Sequence, residues 1–215
     1  MAADREPVLL IQFAREPQLG QVKTRLAAGI GDDAALDVHC ALVEWVAGRA
    51  LGARLGPVEL HVAGDCSAAL FEHCRQLGVS AFRSQVQGDL GQRMYRALQA
   101  GLARFERVLL IGSDCPGIDA DYLAAAALAL KRSPLVLGPA VDGGYVLIGA
   151  TRVDASLFTE MPWGSEVVYA TTLQRLHALG WEYAELPPLA DIDRPEDLPQ
   201  WQAVRGAWRP GFIPA

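Results

Sequence analysis

Apolar residues fall along this chain in two alternating rhythms. Short runs at 8–13, 58–62, 79–82, 108–111, 135–137, 146–148 and 181–186 are rich in the branched and aromatic residues of strands. Between them apolar side chains recur every three or four positions. Val43, Val46, Ala47, Ala50 and Leu51 form one such series, with Asp32 or Asp33 as its N-cap. Residues 68–77, ended by Gly78, form another, and Leu90, Met94, Ala97, Leu98, Leu102 and Phe105, opened by Asp89, a third. An alanine-rich stretch at 121–131 has Asp119 or Asp121 as cap, and Tyr169, Leu173, Leu176 and Leu179 follow Ser165. Strand, helix, strand, helix predicts an α/β protein with helices packed on a largely parallel sheet.

The run at 108–111 organises the rest. Val-Leu-Leu-Ile reads as a strand buried on both faces, and Gly112 and Pro116 stop it abruptly. Asp114 lies where the chain leaves the sheet, the end at which open α/β sheets bind ligands. It is therefore placed to hold a metal ion or a phosphate-bearing substrate. A capping role is the alternative, but Asp119 or Asp121 already caps the following helix.

Five other stations carry chemistry. The loop at 14–26 follows the first strand; Pro17 and Gly20 keep it from being helical, and Lys23 and Arg25 put two cations near a strand's carboxyl end. That is a phosphate-binding layout without the spacing of a P-loop or of a dinucleotide fold. Gly88 and Gly91 flank a helix N-terminus with Arg93 one turn in, facing a nucleotide in the functional reading. Gly143 and Gly144 remove two side chains just before a strand, for a ligand or for a tight turn, and Asp142 either meets an acceptor hydroxyl or serves the turn. Trp163 is a lid or a core plug. Asp191 and Asp193 alternate in an extended segment, so both can face one cation, and Pro195 starts a short helix after them.

Composition narrows the classes. At 215 residues the chain is long enough for one large domain; 51% of it is apolar and 20% charged, a globular balance. A formal charge of −6 argues against a general nucleic-acid or anionic-membrane surface. Residues 1–7 are too polar for a signal peptide and no run suits a membrane span, so a cytoplasmic protein is expected. Cys40, Cys66, Cys74 and Cys115 lack paired spacing and read as reduced thiols. Cys115 is the one thiol at a strand end, yet the sequence places no histidine beside it. His39, His61, His73 and His177 read as surface or helix-face residues. Hard oxygen ligands few in number suit Mg²⁺ or Mn²⁺ bridging to substrate phosphates.

Five ordered motifs carry a resemblance. Gly20-x-Val22-Lys23-Thr24-Arg25-Leu26, Gly88-Asp89-Leu90-Gly91-x-Arg93-Met94, Ile111-Gly112-Ser113-Asp114-Cys115-Pro116, Gly138-Pro139-Ala140-x-Asp142-Gly143-Gly144-Tyr145 and Asp191-Ile192-Asp193 span nearly the whole chain. They resemble the motif series of the bacterial radical-SAM/selenodomain-associated transferase family, also called glycosyltransferase A-like. The resemblance implies the GT-A fold of the nucleotide-diphospho-sugar transferase superfamily: one Rossmann-like domain over residues 1–215, with a mostly parallel, twisted central sheet and helices on both faces. More distantly, the chain resembles the phospholactate guanylyltransferases and molybdenum-cofactor nucleotidyltransferases. These share a Lys-x-Arg-Leu loop, an Asp-x-Pro after the central strand and a late Asp/Asn-Ile-Asp/Asn before Pro-Glu-Asp. That likeness implies that Asp114 and Asp193 hold the metal and that Lys23 and Arg25 hold the triphosphate. The chain has no Asp-x-Asp on the central strand, position 112 being Gly, and no Gly-x-Gly loop.

The expected activity is a Mg²⁺-dependent (or Mn²⁺-dependent) transfer of a nucleotidyl group from a nucleoside triphosphate to a small phosphorylated or acidic acceptor. Transfer of a sugar from a nucleotide-sugar, and a non-catalytic nucleotide-binding role, are the alternatives. Lys23, Arg25 and Asp114 are the expected catalytic residues; Gly91, Arg93, Asp142, Gly143, Gly144 and Trp163 the substrate contacts; Asp114, Asp193 and Asp191 the metal ligands.

Overall fold

A computed structural model describes residues 6–206; the tail at 209–215, expected to be loose or docked, and the first five residues lie outside that range. In chain order the elements are β1 (Leu9–Arg15), α1 (Thr24–Ile30), α2 (Asp32–Gly52), β2 (Val58–Ala63), α3 (Ala69–Leu77), β3 (Ala81–Ser84), α4 (Leu90–Leu102), β4 (Val108–Ile111), α5 (Ala120–Ala129), β5 (Leu135–Pro139), β6 (Tyr145–Ala150), α6 (Val168–Ala178), β7 (Ala184–Glu185) and α7 (Leu198–Arg205). The strands form one sheet in the order β3-β2-β1-β4-β6-β5-β7. β6 is antiparallel to both of its neighbours, and the other pairings are parallel. This is the mostly parallel α/β sheet that the strand–helix alternation predicts.

Period-two alternation sends the central strands' side chains to two apolar layers. Leu10, Leu60, Val62 and Leu109 pack under α2, α3 and α5, whereas Leu9, Val108, Leu110 and Ile148 pack under α4 and α6. The whole of β4 is buried, as its unbroken apolar run requires. α2 is buried around much of its circumference, because α1, α3 and α5 all pack against it. α7 seats on it through the edge-on pair Trp45–Trp201, with ring centroids 5.7 Å apart. Strand order positions the site: β2 and β3 lie to one side of β1, and β4 lies to the other. The chain therefore reverses its direction of build at β1, and a crevice opens at the carboxyl ends of β1 and β4.

Several local expectations are corrected. β1 runs on to Arg15 because its ladder with β2 extends to the Arg15–Ala63 pair. Lys23 ends the following loop, and Arg25 and Leu26 are already helical in α1. β3 is shifted to Ala81–Ser84 by its register with Glu59–Val62. Gly31 is the N-cap of α2, with Asp32 and Asp33 in its first turn, where carboxylates favour the helix dipole. Ser165 does not cap α6: its hydroxyl donates to the Pro162 carbonyl, and the helix begins at Val168. The last strand shrinks to Ala184–Glu185.

Two of the histidines expected at the surface or on a helix face are buried, and of these two only His39 is on a helix. His61 lies on β2, bonded to Glu59, and His39 on α2 satisfies the Arg15 carbonyl. Asp89 does cap α4, in a reciprocal capping box with Gln92, and Asp119 caps α5.

Candidate active site

Four segments converge on the crevice. The first is the loop after β1, which ends at Lys23 in a left-handed conformation (φ 49°, ψ 40°). A residue with a side chain adopts that geometry at a cost of about 1–2 kcal/mol, so contacts elsewhere must hold the lysine in place. Its side chain is 4% exposed, and its Nζ donates to Asp114 Oδ1 (2.5 Å), the Ile192 carbonyl (2.5 Å) and Asp193 Oδ1 (3.1 Å). Three oxygens from two distant segments thus close on one ammonium.

The second segment follows β4. Gln12, wholly buried in β1, donates from its amide to the Val43 carbonyl and to Ser113 Oγ, and Ser113 Oγ donates to the Phe13 carbonyl. Trp45 Nε1 donates to the Pro116 carbonyl. The turn bearing Asp114 is held on both sides by these bonds.

The third segment is 189–193, drawn alongside the sheet by main-chain bonds from Leu189 to the Pro139 carbonyl and from Ile192 to the Asp114 carbonyl. Ile192 is buried, and its flanking carboxylates turn the other way, as the extended pattern predicts. Asp197 then accepts from the Asp193 and Arg194 amides and fixes the end of the segment. The fourth segment is the β5–β6 hairpin carrying Asp142, Gly143 and Gly144.

Together these enclose a cavity of about 480 Å³, in the range of small-molecule sites. Lys23, Arg25, Asp114, Arg93, Asp142 and Gly144 line it, as do Trp163, Asp191 and Asp193. Gly91 and Gly143 stand behind the wall. A side chain at Gly91 would meet the Phe158 carbonyl and the Trp163 ring, and Gly143 (φ +91°) lies against the Glu166 backbone. Each allows a close approach that shapes the cavity. Trp163 is wall and plug at once: it lines the cavity, packs on the α4/α6 core and meets Tyr145 edge-on.

Residues that the sequence reading did not single out also line the cavity: Arg15, His39, Gln85 and Ser113. Burial pushes the His39 imidazole down, so it is neutral near pH 7 and donates from Nε2 to the Arg15 carbonyl at 3.0 Å. Cys115 sits beside Asp114 but is 1% exposed, and burial pushes its thiol up to about 12. That makes it a poor nucleophile.

Charge is unevenly neutralised. Burial alone would lower the Lys23 ammonium, but Asp114 and Asp193 outweigh it and hold the group above its usual value. Withdrawal from water pushes the Asp114 carboxyl up, and Lys23 overcomes this to hold it below the carboxylate range. Among the described residues Asp191 has no such partner. Burial, with Asp142, Asp193 and Asp114 nearby, raises it to about 6. Because that value exceeds the unfolded one, the Asp191 contribution is favourable at low pH and is lost as pH rises from about 4 through about 6. In chelator-containing buffer, Asp191→Asn is expected to be more stable than wild type by about 1–2 kcal/mol near pH 8 and close to it near pH 4. Denaturant melts at the two values test this, and equal effects at both would contradict the crowding.

Among the described residues no group of three or more His, Cys, Asp or Glu side chains is arranged to hold a metal ion by itself. Mg²⁺ commonly takes one or two carboxylates and completes its shell with substrate phosphates and water. Asp114 and Asp193 are the two carboxylates available for that role, and Asp191 beside them pairs with no cation among the described residues.

Comparison with known proteins agrees with this fold. A protein from Desulfovibrio desulfuricans G20, provisionally named a nucleotide-diphospho-sugar transferase, is 28% identical with a TM-score of 0.81, covering 93% of this chain and 88% of its own. A cytidylyltransferase from Leptospira borgpetersenii is 17% identical with a TM-score of 0.63, covering 95% of this chain and 88% of its own. The inositol-1-phosphate CTP transferase from T. maritima is 15% identical with a TM-score of 0.61, covering 94% and 97%. No curated protein matches. The sheet is thus that of the GT-A, Rossmann-like nucleotide-diphospho-sugar transferase and nucleotidyltransferase folds. The profile of the family described as "Uncharacterized protein conserved in bacteria (DUF2064)" matches residues 46–165, more than half of the chain and all of β4 and its acidic turn, and the chain belongs to that family.

Proposed function

We propose that this protein is a transferase that moves a nucleotidyl group from a nucleoside triphosphate to a small acceptor, phosphorylated or acidic, with Mg²⁺ as cofactor. The observation that carries the reading is the Lys23 clamp: a buried ammonium between Asp114 and Asp193, at the carboxyl ends of β1 and β4, in a cavity that also holds Arg15 and Arg25. Cations concentrated beside carboxylates suit a substrate rich in phosphate charge. An anionic oxygen of the acceptor's phosphate or carboxylate attacks the α-phosphorus in line, and the bond from the α-phosphorus to the oxygen bridging to the β-phosphate breaks, its electron pair leaving with pyrophosphate. Lys23, Arg25 and Arg15 hold the charge that accumulates on the departing pyrophosphate. Asp142, exposed on its hairpin with Oδ1 accepting from the Gly144 amide, is placed to orient an acceptor hydroxyl. Bound by Asp114 and Asp193, Mg²⁺ would supply further neutralisation of the phosphates.

Transfer of a sugar from a nucleotide-sugar is the second reading, favoured by the name of the Desulfovibrio relative. Calorimetric titration of nucleoside triphosphates and nucleotide-sugars, with and without Mg²⁺, separates the two. The expected result is Mg²⁺-dependent binding of one triphosphate in preference to the nucleotide-sugars, weakened at least 10-fold in Asp114→Ala. Preference for a nucleotide-sugar would assign glycosyl transfer, and binding of neither class would end both readings.

A further inference from the structure

We propose that Arg93, steadied by Gln85, selects nucleotides whose base carries a ring carbonyl and disfavours adenine; this rests on the nucleotide-transfer reading and names the substrate class within it. The cavity has a second end, away from the Lys23 clamp. There Ala14 and Ala63, at the carboxyl ends of β1 and β2, line it together with Leu90 and Met94 of α4. Four apolar residues beside a polar rim suit the mixed surface of a base. Asp114 lies on the far side of β1, after β4. Two strand spacings, about 10 Å, therefore separate this end from the clamp, a distance that a nucleoside triphosphate spans between base and phosphates.

The rim of this end is polar and its polarity is fixed. The Gln85 amide nitrogen donates to two carbonyls, His61 at 2.8 Å and Ala14 at 3.3 Å. Both amide protons are spent, and Oε1 is held toward Arg93 Nη1 at 3.5 Å. Arg93 also donates from Nε to the Gly88 carbonyl at 2.9 Å. Among the described residues no carboxylate forms an ion pair with it, and its remaining N–H groups are available at the cavity wall. A guanidinium only donates, and the two acceptors beside it, Gln85 Oε1 and the Gly88 carbonyl, already accept from Arg93. The rim is therefore complementary to acceptor atoms. Guanine offers O6 with N7, a pairing that arginine meets in bidentate fashion, and cytosine and uracil offer ring carbonyls. Adenine has no carbonyl; its N1 and N7 acceptors each stand beside the N6 amino group, whose donors would be brought toward a cation.

Calorimetry of GTP, CTP, UTP and ATP with Mg²⁺ tests this on wild type, Arg93→Ala, Arg93→Lys and Gln85→Ala. Wild type is expected to bind at least one of the first three about 10-fold or more tighter than ATP. Arg93→Ala should bring that nucleotide to the ATP level while changing ATP less than about threefold, because the Lys23 clamp is intact. Arg93→Lys, which keeps charge without the planar fork, should lose the preference too. Gln85→Ala should weaken it. Equal or tighter binding of ATP by wild type, or a uniform loss of all four nucleotides in Arg93→Ala, would overturn the proposal while leaving nucleotide transfer standing. If wild type binds no triphosphate, the transfer reading fails and the base assignment fails with it.

Discussion

Lys23→Ala is expected to lower turnover by roughly 10²–10³-fold and to weaken triphosphate binding, while leaving the sheet intact. Among the described residues the ammonium is the one positive charge bonded to both Asp114 and Asp193. Without it the two carboxylates and the Ile192 carbonyl face one another, with the exposed Arg25 guanidinium, 3.5 Å from Asp193 Oδ2, left at one edge. Asp114 is 48% exposed and Asp193 39%, so water screens part of the repulsion. The expected stability loss is therefore about 1–3 kcal/mol, below that of a fully buried broken pair. The sign of the pH response follows. Lys23 is raised in the folded state, so its contribution is complete below about 10.5 and is lost as pH climbs through the folded value. Asp114 is depressed, so its contribution is present above about 3.8 and lost as pH falls through the folded value. The clamp is intact throughout the neutral range. Lys23→Met, which keeps the aliphatic stem, separates charge from packing. If either variant turned over within a few fold of wild type, Lys23 would not stabilise the departing phosphate. If Mg²⁺ restored stability to Lys23→Ala more than to wild type, lysine and metal would be shown to share the carboxylates.

The largest effect on folding is expected far from the cavity. Glu59 on β2 has a side chain 5% exposed, and its oxygens accept from Arg104 (Nη1 2.8 Å, Nη2 3.1 Å) and Arg83 (Nε 2.8 Å), with His61 Nε2 at 3.3 Å. Burial alone would raise its carboxyl, but the bonds from Arg104, Arg83 and His61 overcome this and bring it down to about 2. Glu59→Ala strands two guanidiniums around an apolar gap and is expected to destabilise by about 3–4 kcal/mol. Because both arginines reach solvent, Glu59→Leu, which refills the volume, is expected to recover a good part of that loss. The wild-type contribution is present above about pH 4.5 and is lost as pH falls toward 2, so the two variants should converge on wild type in acid. Urea midpoints at neutral and acid pH provide the check. A constant difference at every pH would assign the loss to packing alone. Nucleotide binding should be unchanged, since Glu59 does not line the cavity.

Much of this arrangement is legible along the chain. The unbroken apolar run at 108–111 has only one comfortable environment, a strand covered on both faces, and its punctuation by Gly112 and Pro116 marks where a ligand-facing carboxylate belongs. Asp191 and Asp193 alternate about Ile192, and period two then requires both to face opposite to a buried isoleucine. Lys23 is readable as a cation after β1. Local chemistry decides such features, so neighbours in sequence report them.

Other features depend on residues far apart in the chain, and tertiary structure alone decided them. Arg15 joins the site because β2 lengthens β1 by two residues. His39 is buried because the Arg15 carbonyl needs a donor at the place where α2 crosses the strand end. Gln85 matters because two carbonyls, from β1 and β2, consume its amide protons. Gly91 and Gly143 read as ligand contacts along the chain, yet in space they admit Trp163 and the Glu166 backbone. Above all, the bond between the Ile192 amide and the Asp114 carbonyl brings together residues 78 positions apart, and it converts two acidic turns and a lysine into one site. Hydrophobic patterning determines which elements form and which face each buries, because burial of a side chain is a local choice of period. The partner of a buried polar group is set by the packing of whole elements, because its desolvation must be offset by whichever donor or acceptor the fold delivers.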